Sequence, residues 1–154
     1  MSRFALSGSF RNAFAIGLAL VLILVIALAF NKPSPPILEV KEYSLNPNTI
    51  NAGGSTTLSF TVKNNDQQKN HFLRVNFNAS PMVTFWQGSQ ILPTENDLQY
   101  FTRTLNPSDL ITTYITVKAS LPPQTSTVTY SVVLNFYVDG SQFDSRQINL
   151  KVES

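Results

Sequence analysis

From Ile37 to Ser154 hydrophobic and polar residues alternate along the chain. Leu58, Phe60 and Val62 alternate with Thr57, Ser59, Thr61 and Lys63, and Leu73, Val75 and Phe77 with Arg74, Asn76 and Asn78. The same period of two runs through Ile111, Thr113, Ile115 and Val117. It recurs along Val128–Val138, and in Ile148, Leu150 and Val152. Each stretch predicts a strand with one buried face. Two weaker strands are expected over Ile37–Leu45 and Leu98–Leu105.

The breaks carry turn chemistry. Asn46-Pro47-Asn48 and Asn51-Ala52-Gly53-Gly54 separate the first two strands, and the polar loop Asn64–His71 follows the second. Asp139-Gly140 predicts a two-residue hairpin between the last two strands. No amphipathic helical stretch competes. The expected fold is all-β: a single immunoglobulin-like antiparallel β-sandwich of about seven strands over 37–154.

The first thirty residues follow another rule. Ala13–Phe30 reads AFAIGLALVLILVIALAF, eighteen residues without a charged or polar side chain. As a helix it would measure about 27 Å, close to the roughly 30 Å hydrocarbon core of a bilayer. A transmembrane helix is therefore expected over 13–30, preceding the sandwich. Arg3 and Arg11 flank it with no acid, which puts residues 1–12 in the cytoplasm and the C-terminal domain outside. Residues 31–36 (Asn-Lys-Pro-Ser-Pro-Pro) read as a short, stiff, proline-rich stalk. A secretory signal cleaved after Ala29 is the rival reading, because Ala27-Leu28-Ala29 has the small-x-small pattern. The apolar run is longer than a usual signal core, which favours an uncleaved anchor.

Charge adds little beyond topology. After Asn31 there are nine basic and nine acidic residues, so the formal +2 comes from Arg3 and Arg11. Charged residues make up only 13%, which argues against disorder and against nucleic acid as a partner. The absence of cysteine excludes a disulfide scaffold, thiol catalysis and cysteine-ligated metal. One histidine leaves little for a metal centre, and no cofactor is expected.

The run Leu45–Asn65 (LNPNTINAGGSTTLSFTVKNN) resembles the opening of CARDB-type domains. There a first strand ends in a proline turn, a glycine turn follows, and the next strand ends in V-x-N-x. The resemblance covers some 25 residues. It implies an extracytoplasmic module of the kind common in archaeal and bacterial surface proteins, where such modules serve adhesion, spacing and assembly. The layout of one membrane helix and one outer domain is also similar to archaellum stator proteins of the FlaF and FlaG type. That likeness is architectural and carries no residue roles.

Candidate chemistry is sparse. His71 has no second His or Cys to share a metal ion, and a solvated histidine of the polar loop Asn64–His71 is expected. Glu95-Asn96-Asp97 could supply half the oxygens of a calcium site, and a plain turn is the expectation. No Gly-x-Ser-x-Gly elbow or phosphate loop occurs, so catalysis is not expected. Trp86, the single tryptophan, is expected in the core, with an exposed aromatic platform as the alternative. Phe101 shares strand parity with Gln99 and Arg103 and is expected to face outward. Asn78-Ala79-Ser80 is an N-glycosylation sequon.

These readings converge on a non-enzymatic, single-pass membrane protein whose outer domain binds a protein partner at the cell surface. Contacts are expected through loops Asn64–His71 and Gln87–Asp97 or an open sheet edge. The candidate surface is His71, Asp66, Trp86, Glu95, Asp97 and Phe101. The alternatives are an accessory subunit of a membrane complex and a carbohydrate-binding module built on Trp86.

Overall fold

The computed structural model describes residues 35–154. The expected membrane helix (13–30), the cytoplasmic segment, the cleavage site after Ala29 and most of the stalk lie outside the described residues. Among those described, no helix is long and apolar enough to cross a membrane.

Every regular element in this part is a strand. Seven are long: β1 (Leu38–Asn46), β3 (Ser55–Asn64), β4 (His71–Asn78), β8 (Leu98–Leu105), β9 (Leu110–Ala119), β10 (Thr127–Val138) and β11 (Ser141–Glu153). These match the strands expected from the alternation. Four short ones are additional: β2 (Thr49–Asn51), β5 (Val83–Gln87), β6 (Gln90–Ile91) and β7 (Thr94–Glu95). The described residues are all-β, with eleven strands in two sheets. One sheet runs β1-β3-β9-β5-β6 and the other β2-β11-β10-β4-β8-β7. All pairings are antiparallel except β2 with β11.

The alternation explains the packing. Leu58, Phe60 and Val62 of β3 point inward, as do Leu73, Val75 and Phe77 of β4 and Val132, Leu134 and Phe136 of β10. The two sheets meet through them. Phe60 stands edge-on to Phe101 and Phe136 at centroid distances of 5.9 and 5.6 Å, and Phe77 stacks on Phe85 at 4.6 Å. Such aromatic geometry adds to plain area burial.

Two expectations about aromatics are corrected here. Trp86 is not a core residue. Val83 and Phe85 take the inward positions of β5, which leaves Trp86 half-buried on the outer face. Phe101 does not face outward; it is 5% exposed, inside the sandwich. It does share parity with Gln99 and Arg103, but that parity is the inner one. Gln99 can point inward because its amide replaces a missing strand. Its Oε1 accepts from the Phe85 N–H at 2.9 Å, and its Nε2 donates to the Phe85 and Leu92 carbonyls at 3.1 and 3.2 Å. One side chain thus ties β8 of one sheet to β5 of the other.

The turn expected at Asp139-Gly140 is present. Val138 pairs with Ser141 in register, and Asp139 and Gly140 have φ of 49° and 89°. Both angles are positive, as a two-residue hairpin of matching twist requires. A second such turn, Asn96-Asp97 (φ 50° and 64°), joins β7 to β8.

Candidate functional site

Two charged clusters lie on β4, on opposite faces. The first is built on His71, the opening residue of the strand, which faces inward with Leu73 and Val75. It is buried, so the expectation of a solvated loop histidine is corrected. Its Nδ1 lies 2.6 Å from Asp139 Oδ2 and its Nε2 lies 3.1 Å from Asp66 Oδ2. A carboxylate only accepts, so both bonds form fully when both ring nitrogens carry a proton. The Asp139 carboxylate first, and Asp66 second, hold the imidazole pKa above its ordinary 6.5, against the opposing effect of burial. Asp66 is held below its ordinary value by the Gln68 N–H and then by His71. Asp139 is held low by His71 and then by the Phe72 N–H.

This cluster ties one end of the sandwich. Asp66 Oδ1 accepts from the Gln68 and Lys69 N–H groups at 2.8 and 3.1 Å. The fully buried Asn64 donates to the Lys69 and Asn106 carbonyls and accepts from the Asp66 N–H. Asp139 Oδ1 accepts from the Phe72 N–H at 2.9 Å. Loop 65–70, the turn at 106–109 and the hairpin 139–140 are thereby locked together. The chain enters the sandwich at this end, where the Asn65 N–H donates to the Ile37 carbonyl at 2.9 Å. Among the described residues no nucleophilic side chain bonds to His71, Asp66 or Asp139.

The second cluster faces solvent. Arg74 lies two strand steps from Phe72 and from Asn76 on the outer face. Its guanidinium sits 4.2 Å over the Tyr100 ring, its Nε donates to Asn76 Oδ1 at 2.7 Å, and an Nη2 donates to the Glu95 carboxylate. Tyr137 of β10 is its register partner on one side and Thr102 of β8 on the other. The sequence reading noticed Glu95 but missed Arg74, Phe72 and Tyr137. Their grouping depends on β4 lying between β8 and β10.

The remaining candidates are dispersed. Asp97 is exposed in the turn after Glu95, and its carboxylate makes no ion pair among the described residues. No group of three or more His, Asp or Glu side chains among the described residues could hold a metal ion. Trp86 donates its Nε1–H to Thr84 Oγ1 at 3.0 Å, and Lys118 Nζ lies 4.2 Å over its ring. Asn78 ends β4, exposed, on the Arg74 face.

Two of the sheet edges, β1 and β8, are guarded. β1 carries a register shift between Val40 and Glu42 beside an exposed Lys41. On β8, β7 pairs only with Leu98 and Gln99. Beyond them Arg103 puts a charge at an exposed position of inner parity. Bulges and inward charges on edges are devices against strand addition.

No protein-family model and no curated protein matches the chain. Among solved structures the fold is similar to part of E. coli α2-macroglobulin in its native conformation, at 17% identity and a TM-score of 0.51. That likeness covers 77% of this chain and 7% of the macroglobulin. A lipoprotein from Bacteroides thetaiotaomicron gives 10% identity and a TM-score of 0.48, over 80% of this chain and 83% of that one. The sporulation control protein Spo0M of Bacillus subtilis gives 14% and 0.47, over 78% and 51%. The chain thus spans a small fraction of the macroglobulin and about half of Spo0M. The first likeness shows a shared β-sandwich-like fold alone, and the other two add no argument.

Proposed function

We propose that this chain is a single-pass membrane protein without enzymatic activity, whose immunoglobulin-like outer domain binds a protein partner at the cell surface. The anchor rests on the uncharged run Ala13–Phe30 and its arginine flank. The immunoglobulin-like reading is supported by two features. The long strands order as β1-β3-β9 against β11-β10-β4-β8. The Tyr130 hydroxyl, near the start of β10, donates to the Ser120 carbonyl at 2.7 Å, as in a tyrosine corner. One departure is that β5, beside β9, precedes β8 in the chain.

The observation that carries partner binding is the outer face of β1, β3 and β9. Tyr114 is 66% exposed there, in a hollow it lines with Ser44, Ser59, Thr61, Thr112 and Tyr43. The hydroxyls are pre-set by side-chain bonds between Ser44 and Ser59 and between Thr61 and Thr112, each 2.8 Å. Tyrosine offers a large contact area with little rotamer entropy to lose, and Ser and Thr offer adaptable hydrogen bonds. Recognition surfaces of binding domains use the same mixture.

The test is a mild-detergent pull-down of the full-length tagged chain from its native membranes, with the intact mass read alongside. An uncleaved mass, a defined co-purifying protein, and loss of that protein on Tyr114→Ala are expected. A chain beginning near Phe30, recovered alone, would contradict both the anchor and the partner.

A further inference from the structure

We infer that the outer face of β4, β8 and β10 holds a binding site for a neutral saccharide, centred on Phe72, Arg74 and Glu95. This site is separate from the tyrosine face of the other sheet and does not depend on it.

The site begins with parity. Phe72, Arg74 and Asn76 share the solvent side of β4, and Phe72 is 47% exposed there. A hollow of about 450 Å³ opens among Phe72, Arg74, Asn76, Glu95, Asn96 and Tyr137. That size falls in the range of small-ligand sites, roughly 300–1,000 Å³. The exposed phenyl ring supplies an apolar surface for the C–H face of a pyranose. The polar groups around it supply directed partners for its hydroxyls.

Arg74 is pre-organised for this role. Three contacts fix its plane: the Tyr100 ring beneath it, Asn76 Oδ1 at Nε, and Glu95 at Nη2. A guanidinium has five N–H donors. Asn76 and Glu95 take two, which leaves donors beside an acceptor, because the Glu95 side chain is 52% exposed. Adjacent hydroxyls on a sugar ring each donate and accept, so they match this pairing. Little side-chain freedom remains to be lost on binding.

Charge selects the sugar class. Arg74 and Glu95 cancel one another, so the hollow has no surplus cation to hold a uronate or a sulfated sugar. The alternative platform at Trp86 fares worse. Lys118 covers its ring, and its indole N–H is already engaged by Thr84.

The experiment is calorimetric titration of the full-length protein, in detergent, with cellohexaose, maltohexaose, xylohexaose, mannohexaose, chitohexaose and hexagalacturonate. At least one neutral hexasaccharide should bind. Phe72→Ala and Arg74→Lys should each weaken it by about tenfold or more. Phe72→Tyr, which keeps the ring, and Trp86→Ala should leave it within about twofold. Circular dichroism verifies the fold of each variant. Binding of hexagalacturonate alone overturns the inference. So does binding that survives Phe72→Ala in a folded protein, or that disappears in Trp86→Ala. Absence of binding to every neutral probe at about 5 mM overturns it as well.

Discussion

His71 and Arg74 are three residues apart on β4, and each meets carboxylate oxygen through its side-chain nitrogens, yet they do different work. His71 faces inward, and both of its ring nitrogens are engaged by Asp66 and Asp139. Those acids in turn bind backbone N–H groups of the loop and strand around them. Arg74 faces outward, leans on Tyr100 and keeps donors open beside a half-exposed glutamate. A charged group whose bonding capacity is filled by its own chain is architecture. One held rigid with capacity to spare is equipment for recognition. Neither sequence position nor residue type separates the two; the direction of the side chain does.

Four substitutions bear on that contrast, from the largest expected effect to the smallest. Phe101 lies under the Arg74 face, opposite Val75 in register and edge-on to Phe60. Phe101→Ala should cost about 3–5 kcal/mol, because a phenyl-sized cavity opens in the core. Denaturant titration measures this. A cost near zero would show that the sheets do not meet there. Gln99→Leu should cost about 1–3 kcal/mol by leaving the Phe85 N–H and the Leu92 carbonyl without their side-chain partner, while the Phe85 carbonyl keeps the Leu92 N–H. Its mark would be fast amide exchange at Phe85, and protection equal to that of the wild type would contradict the bridging role.

His71→Leu should lower the unfolding midpoint by several degrees and change its pH dependence. The raised imidazole pKa stabilises the fold fully below the ordinary 6.5, and this is lost as pH rises through the raised folded value. The lowered pKa values of Asp66 and Asp139 stabilise it above the ordinary 3.8, and this is lost as pH falls through their folded values. Both contributions are present between about 3.8 and 6.5. Wild-type stability should decline above that window, and the decline should flatten in His71→Leu. Equal profiles for the two proteins would mean that the bridge contributes nothing. Smallest of all, Phe72→Ala should leave stability within about 0.5 kcal/mol, as an exposed position does. A large loss would make Phe72 part of the architecture.

The sequence carried the fold further than the site. Alternation located all seven long strands, and Asp139-Gly140 announced its own hairpin. The short strands β5 to β7 were not legible, since runs of two to five residues carry too little alternation to read. Phe101 shows why a face can be misread. A period of two says that Gln99, Phe101 and Arg103 share a side, not which side it is. A polar residue with a buried task reverses the inference. Trp86 shows the same limit, because Phe85 beside it claimed the inward position. His71 was unreadable as a bridge because Asp139 is 68 residues away. The Arg74 cluster joins four strands, β10, β4, β8 and β7, whose order in the sheet is not their order in the chain.

The most direct test measures two properties on two folded variants of the full-length protein: unfolding midpoint and binding of the neutral hexasaccharide. His71→Leu should lose stability and keep binding, while Phe72→Ala should keep stability and lose binding. If both variants lost stability together, or if binding were indifferent to Phe72, the division between a locked inner cluster and an open outer one would be contradicted.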